Sequence, residues 1–225
     1  MVLKKLTNRI WYYPYEEERD RPNLGYIKGD NFSVAVDAGH SAAHTEEFYR
    51  ELNEAGLPLP SLTVITHWHW DHTFGMHSVN GLCIANSRTN RHLSEFREKI
   101  RKEGPDVFFN MHETIRKEYC DGKPVIITTA DIVFDGELSI DAGNCPIRLI
   151  QTQSPHTDDS TLVYVADEKV LFIGDANSGE FPDWSKRKEL CEVLAKTISS
   201  IGAEICLEGH WTPDTPNGII EDIMS

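Results

Sequence analysis

The chain has 225 residues, of which 40% are hydrophobic and 26% charged, with a formal net charge of −14. That length suits one large α/β domain and is ample for a continuous hydrophobic core. So acidic a chain is a poor partner for a phosphate backbone, and no apolar run approaches the ~20 residues of a membrane span. The expected partner is therefore a small molecule, with no nucleic acid and no membrane; a homodimer is left open.

The N-terminal residues carry Lys4, Lys5 and Arg9, but no apolar stretch follows, so no signal peptide is expected. The five cysteines, Cys83, Cys120, Cys145, Cys191 and Cys206, are scattered and form no C-x-x-C pair. They read as reduced and mostly buried thiols, which favours a cytoplasmic setting.

Strand-like stretches open the chain at Leu3–Tyr13, Leu24–Lys28 and Phe32–Val36, and Gly29-Asp30-Asn31 supplies a hairpin turn between the last two. A helix over Ser41–Ala55 is closed by Gly56 and Pro58. The short β-branched run Leu62–Thr66 reads as a buried strand. Residues 90–123 form a helical insertion within a single domain spanning 1–225. There Arg91–Gly104 and Asp106–Tyr119 read as two charged helices, and the apolar patch Val107-Phe108-Phe109 with Met111 suits a lid and core packing equally. Strands return at Val125–Thr128, Ile132–Phe134, Glu137–Ile140, Ile147–Gln151, Thr161–Val165 and Val170–Ile173. A helix over Ser185–Ile201, a strand at Glu204–Leu207 and a helix at Gly218–Ile223 complete the chain. Two strand-rich halves, each closed by helices, imply two β-sheets packed face to face with helices outside.

The chemistry concentrates in Thr66-His67-Trp68-His69-Trp70-Asp71-His72, where four metal-capable side chains fall within six residues at the end of a buried strand. In extended chain His67 and His69 project to one side, and a turn after His69 brings Asp71 and His72 to a second point. Imidazoles and carboxylates without a thiolate suit zinc, iron or manganese. Trp68 and Trp70, alternating with the histidines, and Trp211 have two readings, lining the pocket or, the one expected, pointing away to pack the core. His40, His44, His77, His92 and His112 stand outside the motif and read as surface or satisfied histidines, with His40 and His77 near enough in sequence to reach a substrate.

The H-x-H-x-D-H spacing resembles the signature of the metallo-β-lactamase superfamily. Ser154-Pro155-His156-Thr157, Ile173-Gly174-Asp175-Ala176 and Leu207-Glu208-Gly209-His210-Trp211 resemble that family's later metal loops, in its order and each after a strand. Val36-Asp37-Ala38-Gly39 is similar to its buried supporting aspartate, although a turn or cap carboxylate is an equal reading. The resemblance implies an α/β fold, a four-layer αββα sandwich of two mixed β-sheets. It implies that His67, His69 and His156 hold one divalent ion, that Asp71, His72 and His210 hold a second, and that Asp175 bridges them. Zinc is the expected metal, with iron or manganese as alternatives. The implied activity is a binuclear hydrolase in which a metal-bridging hydroxide attacks a small ester, lactone, thioester or related bond. Asp71 would serve as catalytic proton acceptor as well as ligand. Asp175 resembles the glyoxalase II, lactonase and phosphodiesterase branches. Only 15 residues follow His210, fewer than the helical substrate domain of a glyoxalase II. The alternatives are a mononuclear-iron sulfur dioxygenase, a phosphodiesterase and a non-catalytic metal-binding protein.

Overall fold

The computed structural model describes all 225 residues. Strand β1 (Lys4–Lys5) pairs antiparallel with β2 (Ile10–Tyr13), so the first stretch is two strands separated by a turn in which the Leu6 and Thr7 amides both reach the Ile10 carbonyl. The hairpin of β3 (Leu24–Lys28) and β4 (Ser33–Val36) forms where its glycine predicts. Helix α1 (Ala42–Glu54) begins at Ser41, whose hydroxyl accepts from the His44 amide, satisfying one of the free donors of the first turn. Then follow β5 (Leu62–Val64), the single turn α2 (Trp70–Thr73), β6 (Leu82–Asn86), α3 (Ser87–Glu103), α4 (Asp106–Phe109) and α5 (Glu113–Glu118). The second half runs β7 (Ile132–Phe134), β8 (Glu137–Asp141), β9 (Pro146–Gln151), β10 (Thr161–Val165) and β11 (Val170–Gly174). It ends with α6 (Lys188–Ile201), β12 (Ile205–Glu208) and α7 (Pro216–Met224).

Strands β1 to β7 form one sheet in sequence order, antiparallel through β4 and parallel from β4 to β7. The other sheet has the order β12-β11-β10-β9-β8, with only β11 and β12 parallel. Both sheets are mixed, as expected. Strand alternation sends every second residue to the space between them. Val34 and Val36 of the first sheet meet Ile147 and Leu149, Val163 and Val165, and Val170 and Phe172 of the second in one buried cluster. The opposite residues are also apolar, because helices cover both outer faces. Leu162, Leu171 and Ile173 pack on Leu194 and Ile198 of α6 and Ile219 and Ile223 of α7. Tyr26 and Ala35 pack on Phe48 and Leu52 of α1, while Cys83 and Ala85 face the Leu93 and Phe96 side of α3. Strands buried on both faces lose their alternation and become continuous apolar runs, as β10 and β11 are throughout.

Three local readings need correction. Strand β6 joins the sheet between β5 and β7 but was not anticipated, because its apolar run is short and ends in Asn86, a polar residue that caps α3. Val125–Thr128 forms no strand: the chain there runs irregularly after Pro124 and tucks Ile127 under the α3–α5 helices. The helix expected over Asp106–Tyr119 is two short helices, divided at Asn110–Met111, with the His112 ring accepting from the Thr114 amide to cap the second. The Val107-Phe108-Phe109 patch turns Phe108 fully into the core, against Phe74, Phe96 and Tyr119.

Candidate metal centre

Five loops, after β4, β5, β9, β11 and β12, meet at one edge of the sandwich and carry the chemistry. The first brings Asp37, in a left-handed backbone conformation at φ 65°. Its carboxylate accepts from the Thr66 amide at 2.8 Å, from the Thr66 hydroxyl and, at 2.8 Å, from Nδ1 of His72. Asp37 is therefore not a turn carboxylate. It fixes the end of β5 and orients an imidazole so that Nε2 faces inward. The Thr66 oxygen in turn accepts from His67 Nδ1 at 3.1 Å, which turns His67 Nε2 inward as well.

The motif itself is extended through His69 and then enters α2, with His69 at the cap position and Asp71 and His72 in the turn. His156 follows β9 in a loop closed by the Ser154 hydroxyl, which accepts from the His156 and Thr157 amides. Its Nδ1 donates to the Gly179 carbonyl at 2.7 Å, leaving Nε2 2.9 Å from Nδ1 of His69. Asp175 and His210 leave the parallel neighbours β11 and β12. Glycine is required at two points in these loops. A Cβ on Gly174 would meet the Thr66 hydroxyl at 2.5 Å, and one on Gly209 would lie 1.9 Å from Asp175 Oδ1. Asn23 fastens the last loop by donating to the carbonyls of Glu208 and Trp211 at 2.8 and 2.7 Å.

All seven residues singled out in the sequence come together, in two groups whose donor atoms lie within 4.8 Å of one another: His67, His69 and His156, then Asp71, His72, Asp175 and His210. His210 Nε2 is 3.0 Å from Asp71 Oδ2 and 3.4 Å from Asp175 Oδ2, and His72 Nε2 is 3.2 and 3.3 Å from the same two oxygens. Asp175 Oδ2 also lies 3.9 Å from His156 Nε2, so this carboxylate is within reach of both groups.

Burial holds His67 well below the usual imidazole range and pushes His69 down to about 3, so both present neutral rings. Burial acts the same way on His72 and His210, but Asp71 and Asp175 outweigh it and hold both rings well above the usual range. The two carboxylates are held low: burial raises them, and the adjacent rings more than compensate. His67 Nε2, His72 Nε2 and Asp175 Oδ1 are buried without a hydrogen-bond partner. Orphaned donor atoms cost free energy unless something occupies the point at which they aim. A cation meets that need: His67 and His69 are neutral and Asp71 and Asp175 ionised, the states that ligation requires, and a cation would displace the protons that the carboxylates hold on His72 and His210. The residues present thus fit divalent metal ions.

The centre opens to solvent through a cleft of about 180 Å³ lined by Asp20, His69, Trp70, Asp71, His156, Asp175, Ser178, Trp184 and His210. Asp20, Ser178 and Trp184 had no signal in the sequence. Asp20 precedes its neighbour His210 by nearly the whole chain, with a carboxylate oxygen 3.9 Å from His210 Nδ1. Burial and the nearby Asp71 push its carboxyl up to about 6. Trp70 packs on Phe108 and Phe181 as expected, and Trp68 lies half-buried on Phe96. Trp211, expected in the core, is 62% exposed beside Tyr15, because its loop has already left β12. His40 and His77 do not line the cleft: His40 is buried under Tyr119, and His77 is exposed elsewhere.

Comparison with known proteins agrees with this fold and donor set. The profile of the metallo-beta-lactamase superfamily matches residues 18–220, and the chain belongs to that superfamily. It is 22% identical over 223 residues to the human acyl-coenzyme A thioesterase MBLAC2, across 88% of this chain and 75% of that protein. Among solved structures, a metallo-beta-lactamase from Pontibacter korlensis superposes with a TM-score of 0.70 at 16% identity, covering 99% of this chain and 96% of the other. The DIM-1 metallo-beta-lactamase superposes at 0.71 and 17%, covering 98% and 95%. At such identities the structural likeness establishes the αββα fold alone.

Proposed function

We propose that the chain is a binuclear metal-dependent hydrolase acting on a small-molecule ester, lactone or thioester. The observation that carries this reading is the pair of adjacent buried donor groups, with His67 Nε2, His72 Nε2 and Asp175 Oδ1 unsatisfied and aimed into them. His67, His69 and His156 would hold one ion, Asp71, His72 and His210 the other, and Asp175 would serve both. Divalent ions there, zinc being the best match to the donor set, supply a water acidified to pKa about 7 and a Lewis acid for the substrate carbonyl. The chain's own residues do the rest. Asp37, Thr66 and the Gly179 carbonyl fix which nitrogen of each ring faces inward. Asp71, which lines the cleft, would accept the proton lost from the attacking water. The printed activity of the MBLAC2 relative, thioester hydrolysis, falls within this bond class and supports it. A phosphodiester is the poorer match, since no Lys or Arg lines the cleft to meet its charge.

The test is metal content together with activity. The purified chain should take up about two zinc ions and hydrolyse a simple thioester, and Asp71→Ala and His156→Ala should each lower kcat/KM at least about a hundredfold while remaining folded. Wild-type activity in both variants would refute the assignment. One iron per chain with thiol-oxidising activity would replace it by a dioxygenase.

A further inference from the structure

The loop 179–185 has two ends with different work. At Gly179 its carbonyl accepts from the metal-facing His156, as described. Five residues later Trp184 stands at the mouth of the cleft, 56% exposed, with its ring inclined only 13° to that of His156 and 6.2 Å from it. Phe181 braces the indole edge-on at 5.7 Å. The loop is tightly closed: Glu180 and Ser185 pair across it, and a Cβ on Gly179 would lie 1.9 Å from the Trp184 carbonyl oxygen. Trp184 adopts φ 57°, a left-handed conformation that costs a non-glycine residue free energy. The indole is thus held at the mouth of the cleft in a costly backbone state, braced by Phe181 and with more than half its surface open to solvent.

The rest of the lining sets the charge of what enters. None of the nine residues is Lys or Arg, while Asp20, Asp71 and Asp175 are acidic. With Asp71, Asp175 and the histidines committed to the metal groups, what the lining leaves to an acyl group is the Asp20 carboxylate, the Ser178 hydroxyl and the Trp184 indole, with no side-chain cation among them.

We propose that Trp184 is the specificity-determining residue of the cleft, receiving an uncharged apolar acyl group next to the scissile carbonyl. The substrate class is thus an ester or thioester of a hydrophobic acid, in place of one bearing a second carboxylate or phosphate on its acyl side. This rests on the hydrolase reading above and extends it. Aromatic contact of this kind contributes a selectivity of about tenfold.

The experiment compares phenylacetyl and succinyl thioesters of N-acetylcysteamine in the zinc-loaded protein. In wild type kcat/KM should favour phenylacetyl. That preference should fall about tenfold in Trp184→Ala and persist within about twofold in Trp184→Phe, the change residing mainly in KM. An unchanged preference in Trp184→Ala would overturn the proposal. Independently of turnover, neutral phenylacetamide should bind the metal-free protein measurably by saturation-transfer NMR and several-fold more weakly in Trp184→Ala; equal binding by both overturns it. Should wild type hydrolyse neither thioester, the hydrolase reading falls, and the amide titration alone decides the role of Trp184.

Discussion

At the scale of single residues, the centre depends on which nitrogen each imidazole turns inward, and neighbours that are not ligands decide that. Asp37 touches both Thr66 and His72, so one carboxylate orders two of the inward-facing rings. Asp37→Asn keeps the shape but replaces an acceptor with a group that can present an amide donor to His72. Loss of such an outer partner typically lowers metal affinity about 10–100-fold, which competition for zinc against a chromophoric chelator will measure, with circular dichroism unchanged. The electrostatics give a second prediction. In the metal-free chain His72 and His210 titrate well above the usual imidazole range, so both carry protons at neutral pH. A cation must displace those protons. Affinity therefore falls as pH falls, and zinc binding at pH 7 should release about one to two protons per chain. Calorimetry in two buffers of different ionisation enthalpy counts them, and zero release would contradict the assignment.

At the scale of elements, the short segment before β3 is as important as the metal loops. Arg21 is fully buried and forks onto Glu118 of α5 at 2.7 and 2.9 Å, with Glu47 of α1 at 3.1 Å. Glu118 also accepts from the hydroxyl of Ser41, the residue that caps α1. This buried network joins α1, α5 and the turn that presents Asp20 to the cleft. Removing one member of a buried ion pair leaves the other uncompensated, so Arg21→Met should destabilise the protein by about 3–5 kcal/mol. Urea unfolding would show it, and adding Glu118→Gln should recover part of the loss. Helix α1 was legible: the reading of Ser41–Ala55 closed by Gly56 agrees with the observed Ala42–Glu54 to within a residue at each end. The break between α4 and α5 was not, because it is set by Phe108 turning inward onto Phe74, a partner remote in sequence.

At the scale of the molecule, the centre ties the two sheets together, since its residues leave β5 of the first sheet and β9, β11 and β12 of the second. Metal bound there acts as a clamp across the sandwich. Free zinc at about a hundredfold its Kd stabilises the fold by about 2.7 kcal/mol, a rise of about 5–10 °C in Tm for a chain of this size. Scanning calorimetry with and without chelator checks it, and an unchanged Tm would mean that zinc does not bind the folded chain.

The sequence by itself singled out the seven side chains that converge and, through the family resemblance, implied the layer order. Dense histidines and aspartates at strand ends have few uses other than metal binding, and doubly covered strands announce themselves as apolar runs between turn residues. It determined nothing about Asp20, Ser178 or Trp184, whose place at the cleft comes from the closure of the sandwich and not from any local pattern. It also misjudged Trp211 and Val125–Thr128, where local composition suggested burial or a ladder. Local propensity reports what a segment can do; which face it turns to water depends on the chain that arrives beside it, and only the folded packing fixes that.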